Sequence, residues 1–524
     1  MRSLTAAAAC RTVALPVVVA LALAACSSSS TPTGTTVTNR KAARPAGSWP
    51  YPNGNLANTR VAAGATITSA NVSRLQQAWT FRLTGPAATS VAGYGSLAAA
   101  PIVANGVVYL QDLYANVYAL RLATGKLLWE YQVGESEKSG PGPDGVAVSG
   151  GVVYGDTSAT VFALSARTGK VLWVDKHLLN SGQGAFEIQP QVANSKVYVA
   201  SAYGTGPGGG VLFALNASNG RPAWRFNTLL AKPGANVGVQ ASKIGSGGAW
   251  ETPLVGSDGS VTFGAGNPYQ SAASAIAHPA AQLYTDSDVN LDGATGQLRW
   301  YYQGVANDFM DHDLQSSPIA ATIGGAPAVI GSGKVGVVYA MNARTGQLIW
   351  KTPVGQHSQS DKYPAEALAG TLRLKAPYTI LPGSLGGVLS NLAVAGNTVY
   401  VATNNLPFRL PKLVYPLGIP AGNGTGQVEA LNLSTGKVEW DTKVPAMPLG
   451  AATVSNDLVF TTLYSGVLIA FNRATGAIVY QHKLPTSTNS PIAIAGNSVL
   501  VPAGGSSAFG VSGGSPQLIA YTVP

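Results

Sequence analysis

Short apolar stretches of strand character recur along the chain from residue 79 onward. VYAL (117–120) and VFAL (161–164) are two of them, and the period-2 alternation of such a strand buries one face. After each comes a turn containing Gly and then an aromatic residue. The pattern reads ATGKLLW to Trp129, RTGKVLW to Trp173, SNGRPAW to Trp224 and ATGQLRW to Trp300. It continues as RTGQLIW to Trp350, STGKVEW to Trp440 and ATGAIVY to Tyr480. The glycine supplies a backbone conformation that a Cβ would oppose. The Trp can lie flat between neighbouring sheets and offers them a large apolar area. Long runs of helical periodicity are missing, so the expected elements are strands and turns.

With Trp79 included, eight aromatic-tagged strands are spaced 50, 44, 51, 76, 50, 90 and 40 residues apart. A period of about 40–50 residues with four short strands per unit predicts an all-β, eight-bladed β-propeller. A solenoid would have a tighter period. The two wide gaps imply insertions, roughly at 250–290 and 355–425, and long loops on a rigid scaffold are where function concentrates.

The amino terminus follows a different pattern. Arg2 and Arg11 precede an apolar run, Val13 to Ala25, that is too short to cross a bilayer comfortably. It ends in Leu23-Ala24-Ala25-Cys26, which resembles the lipobox of bacterial lipoprotein signal peptides. The expected organisation is a signal peptide over 1–25, a lipidated Cys26 with a Ser/Thr/Pro-rich flexible stalk over 26–46, and a propeller over 47–524. The membrane is then the partner of Cys26, and the protein is exported and lipid-anchored to the outer face of the cell membrane. Cys10 and Cys26 are the two cysteines, so the mature domain holds no disulfide and no Cys-ligated metal.

Composition removes several function classes. Net charge is +10 over 524 residues, with no basic run interleaved with aromatics, so nucleic-acid binding is not expected. No CxxCH or HExxH is present, which argues against a built-in c-type haem and a zinc hydrolase. The Gly-rich run 204–210 is followed by no helix and does not read as a phosphate loop.

Between 247 and 350 the motifs GGAWETP, FGAGNP, LYTDSDVNLDGATGQLRWYYQ, NDFMDHD and GKVGVVYAMNARTGQLIW occur in order. With the Gly-x-x-x-Trp turns they resemble the tryptophan-docking repeats of the quinoprotein alcohol dehydrogenase superfamily, the pyrroloquinoline quinone (PQQ) propellers. That resemblance implies PQQ stacked on a Trp at the propeller axis, a Ca²⁺ held by carboxylate and amide oxygens, and an Asp base that takes the substrate hydroxyl proton. Trp250 matches the stacking Trp or is one more packing Trp. Asn267 matches a metal-ligating Asn or is a turn Asn. Lys334 matches the basic residue that contacts the quinone oxygens or lines the pore.

The catalytic pieces do not carry over. Ala281 stands at the base position, and the metal-ligating Glu falls near Thr205. Losing a general base typically costs ~10²–10⁴ in rate, and losing an anionic ligand weakens Ca²⁺ binding. Glu251 is a candidate displaced carboxylate. Asp286 and Asp288 are expected in one strand at period-2 spacing, so that they share one face. Asp308, Asp311, His312 and Asp313 have the look of a metal site, but the resemblance makes them a structural turn. The reading is therefore a non-catalytic binding or scaffold propeller of the cell envelope, like the envelope-assembly propeller lipoproteins. Its alternatives are an active PQQ-dependent alcohol or sugar dehydrogenase and a small-ligand binding protein without turnover.

Overall fold

The computed structural model divides the chain into two units, Met1–Ala43 and Arg44–Pro524. It describes residues 47–84, 95–133, 142, 144–204, 209–229, 245, 247–415, 418–507, 511 and 513–524. The expected signal peptide and stalk, Cys26 and Thr205 lie outside the described residues.

Among those residues the strands form eight antiparallel sheets of four or five strands, plus one small three-stranded sheet. In a representative sheet, Ile102–Ala104, Val107–Gln111, Val117–Arg121 and Leu127–Tyr131 pair in chain order. The inner strands are apolar on both faces because each sheet is covered on both sides by its neighbours. The fourth strand lies at the rim, and Leu127 and Leu128 there are exposed. The last sheet is completed by the beginning of the chain, with Gln76–Arg82 paired antiparallel to Gln517–Thr522. This is a β-propeller fold.

The repeated aromatics join one sheet to the next. Trp129 Nε1 donates to the Ala166 carbonyl in the following sheet's turn at 3.0 Å, and Trp300 to Ala343 at 2.9 Å. Trp79, Trp173, Trp224, Trp350 and Trp440 make the same bond at 2.8–3.0 Å. Each ring lies on the turn's glycine. A Cβ at Gly346 (φ +70°) would come 2.7 Å from the Trp300 ring, which explains why the repeat carries Gly there. Tyr480 replaces Trp for a structural reason. The sheet after it has no turn between its third and fourth strands, because those strands come from opposite ends of the chain.

Two features modify the ring. The segment 49–62 touches the innermost strands of several sheets. Trp49 bridges Val103, the Thr59 carbonyl accepts from Val394 N, and the Arg60 carbonyl accepts from Val454 N. The Ala57 carbonyl accepts from Ala320 N, and Asn58 Nδ2 donates to the Thr252 and Pro318 carbonyls. One short segment meets strands of four sheets only where they converge, so it lies on the axis.

The second feature is a cap made from the two insertions. Helix Ala272–Ala277, helix Tyr363–Leu368 and the sheet Tyr378–Ile380, Phe408–Leu410, Ile419–Pro420 share a hydrophobic cluster with Phe309, Met310 and Leu372. No described helix is long and apolar enough to cross a membrane.

Candidate axial site

A cavity of about 200 Å³ lies beside the segment on the axis, with Asn53, Arg60, Trp250, Glu251, Lys334 and Asn391 in its lining. Trp250, Glu251 and Lys334 thus share one space. Asn267 is adjacent but does not line it.

Lys334 is the best-anchored charge. Its Nζ sits 3.0 Å from Asp311 Oδ2 and 2.6 Å from Asp313 Oδ2, and 5.8 Å from the Trp250 ring. Burial works against the ammonium, but the two carboxylates outweigh it and raise the Lys334 pKa. Asp313 also accepts from Asn267 N at 2.6 Å. Gly266 is required here because a Cβ would stand 2.8 Å from both Asp313 Oδ1 and the Trp250 ring. Asn267 Nδ2 donates to the Pro268 carbonyl at 3.3 Å and to Tyr415 OH at 3.4 Å. Tyr415 comes from the second insertion and packs against Tyr269 at a tilt, with ring centroids 5.0 Å apart.

Glu251 belongs to a second group. Its Oε2 accepts from Asn391 Nδ2 at 2.8 Å and from Ser317 Oγ at 3.5 Å. Burial pushes its pKa up to about 7, opposed by those hydrogen bonds and by Arg60. Arg60 is fully buried and donates to the Ala452 and Ile492 carbonyls, Asn53 Oδ1 and Thr453 Oγ1 at 2.8–3.0 Å. Burial lowers its pKa to about 9.

The remaining candidates separate. Asp286 stands one residue ahead of strand Ser287–Asp292 with φ +48°, so strand alternation does not govern it and the expected common face with Asp288 is corrected. Asp286 is buried, and its pKa is raised by burial and by Asp308, Asp313 and Asp311. Asp288 packs against Gly331 in the next sheet, and its pKa too is raised by burial. Asp308 holds a turn, accepting from Met310 N and His312 N at 3.0 Å, while His312 Nε2 pairs with the Pro382 carbonyl at 3.1 Å. Ala281 is half-buried and does not line the cavity. The Ala-rich segment around it also stays off the cavity, with Ala272 and Ala275 buried in the cap.

Sequence reasoning missed a third group, Asp144, Asp156 and Glu187. All three are buried, and no ion pair among the described residues reaches them. Burial and mutual repulsion raise the pKa of Asp144 and Asp156 well above the ordinary carboxylate range, and burial lifts Glu187 to about 8. Glu187 is hydrogen-bonded to Tyr203, which lines the cavity. A signal was present: Asp156 ends the second strand of its repeat, VVYGD, where the repeat before it has Gln111.

Fold and site together define a propeller with an axial cavity beneath an inserted cap. A family model described as the glucose/ethanol/alcohol dehydrogenase β-propeller domain matches residues 49–378, and the chain belongs to that family. A second model, outer membrane protein assembly factor BamB, matches residues 379–520. Among curated relatives, the quinoprotein alcohol dehydrogenase PedH of Pseudomonas putida is 27% identical over 470 residues, covering 78% of each chain. The quinoprotein ethanol dehydrogenase of Pseudomonas putida is 25% identical over 507 residues, covering 82% of this chain and 80% of its own. Among solved structures, a europium-containing methanol dehydrogenase superposes with a TM-score of 0.76 at 22% identity, covering 91% of this chain and 98% of its own. BamB from Moraxella catarrhalis superposes with a TM-score of 0.52 at 14% identity, covering 86% of this chain and 97% of its own.

The quinone and calcium implied by the resemblance fit these residues poorly. Ala281 has no side-chain oxygen, and among the described residues no three His, Cys, Asp or Glu side chains are grouped to hold a metal ion. PQQ is a planar three-ring tricarboxylate. The cavity lies below the ~300–1,000 Å³ usual for ligands of that size, and both cations in its lining are already committed to protein partners.

Proposed function

We propose that the chain is a non-catalytic binding propeller of the cell envelope, carried on a lipid at Cys26, whose binding site is the axial cavity. One observation carries this reading: Trp250, Glu251 and Lys334 line a common cavity, while the base position, Ala281, is a side chain without an oxygen that stands off it. A propeller scaffold hosts many roles, and the site decides among them.

The second reading is a PQQ-dependent alcohol or sugar dehydrogenase. Membership in the dehydrogenase family and the shared placement of Trp250 and Lys334 favour it. Titrating the full chain with PQQ and Ca²⁺ while following Trp fluorescence separates the two. The expected result is no saturable, calcium-dependent quenching. Saturable binding would overturn the proposal and justify an alcohol screen with an artificial electron acceptor.

A further inference from the structure

We infer that the axial cavity binds a small organic cation, a protonated amine with an apolar body. This deepens the binding reading above and rests on it.

The protein's own cations are spent. Lys334 lies between Asp311 and Asp313, and Arg60 directs four hydrogen bonds at protein oxygens. The acceptors in the lining are not spent. Both hydrogen bonds to Glu251 go to Oε2, so no described donor reaches Oε1. Ser390 and Asn489 line the same cavity, and Ser390 Oγ and Asn489 Oδ1 are shielded from solvent with no hydrogen-bond partner among the described residues. Ser390 is only 8% exposed. An unpaired buried acceptor is costly, and a ligand that donates hydrogen bonds removes that cost.

Two further features select a cation over a neutral donor. Trp250, Tyr203 and Tyr464 also line the cavity, and aromatic faces attract an ammonium through their quadrupole. Beyond Tyr203, which is hydrogen-bonded to Glu187, stand Asp144 and Asp156, whose carboxylates face one another with no other side-chain donor among the described residues. Gln111 Oε1, also buried, lacks a partner next to Gly155 in the same region. These groups do not reach the ligand, but a nearby positive charge eases their ionisation and a negative one opposes it, so they favour a cationic occupant over an anionic one.

The test uses three probes of one shape on the full chain at about pH 7, followed by calorimetry: benzylamine, benzyl alcohol and benzoate. Benzylamine is protonated there, and it is expected to bind saturably, at least ~10-fold tighter than benzyl alcohol, with benzoate weakest. Glu251→Gln, checked for an unchanged thermal melt, is expected to lower benzylamine affinity at least ~10-fold and leave benzyl alcohol unaffected. Ser390→Ala is expected to weaken benzylamine by a smaller factor.

Equal or tighter binding of benzyl alcohol or benzoate would overturn the charge preference but leave the binding reading standing. So would an unchanged benzylamine affinity in a folded Glu251→Gln protein. No benzylamine binding at millimolar concentration also overturns the inference. Saturable, calcium-dependent PQQ binding would instead overturn the reading on which it rests.

Discussion

The rim and the axis of this propeller are built on opposite principles. At the rim one device recurs: a Trp donates to a carbonyl of the next sheet's turn and lies on that turn's glycine. The parts are neutral and interchangeable, and every polar group in the device is satisfied. Toward the axis each sheet contributes something different. Asp144, Asp156, Glu187, Asp286 and Lys334 are buried there and Glu251 is half-buried, and several of the carboxylates have no cationic partner among the described residues. Buried charge without a partner is costly. A chain that keeps such groups while repeating a satisfied device elsewhere has stability located at the rim and binding potential at the axis.

The largest effect is expected from breaking the rim. Trp300 is 6% exposed and closes one junction through Ala343 and Gly346. Trp300→Ala removes the ring and leaves that junction open. The expected loss is about 3–5 kcal/mol in denaturant unfolding. The folded fraction should keep its benzylamine affinity, because the junction does not line the cavity. A loss of affinity in the folded fraction would show that rim and axis are not independent.

The same division decides what could be read from sequence. The rim was legible because its device repeats, so each Trp and turn Gly supports the others, and even the exception at Tyr480 has a topological cause. Two insertions were legible from the wide gaps, but not that they join in one hydrophobic cluster or that Tyr415 reaches Asn267. Trp250 and Lys334 came from motif order, and the structure brings both to the cavity. The Asp144–Asp156–Glu187 group escaped because Glu187 comes from the repeat after that of Asp144 and Asp156, and they meet only when the sheets converge. The role of 49–62 escaped for the same reason: a segment outside the repeat carries no periodic signal. Asp286 misled because alternation was extended one residue past the strand's end.

A middle-sized effect should come from relieving one interior carboxylate. Glu429 is 4% exposed and accepts from Thr403 Oγ1 at 2.8 Å and Gly355 N at 3.3 Å. Burial raises its pKa from 4.5 to about 7 in spite of those bonds. The folded state therefore holds its proton to higher pH than the unfolded state. Stability contributed by this group is full below about pH 4.5 and is lost as pH rises through about 7. Glu429→Gln keeps an acceptor and cannot ionise. It is expected to stabilise the protein by about 1–3 kcal/mol at about pH 8 and by nothing near pH 4. Equal melts of the two proteins at both pH values would show that this carboxylate is not strained.

The smallest stability effect, and the sharpest functional one, belongs to Ala281→Asp. Ala281 is half-buried, off the cavity and away from the ion pairs of Lys334. A charge placed there is expected to change stability by less than about 0.5 kcal/mol, as for most surface substitutions. In a site that needed only its base restored, the change would raise PQQ-linked alcohol oxidation by something approaching the ~10²–10⁴ a general base supplies. The expected outcome is no such gain, alone or combined with Thr205→Glu, because the cavity's cations are held by protein carboxylates and carbonyls and its free acceptors suit a donor. Turnover appearing in either variant, measured with PQQ, Ca²⁺ and an artificial acceptor, would place the quinone at the axis, and turnover in Ala281→Asp alone would make Ala281 the single step separating this propeller from its dehydrogenase relatives.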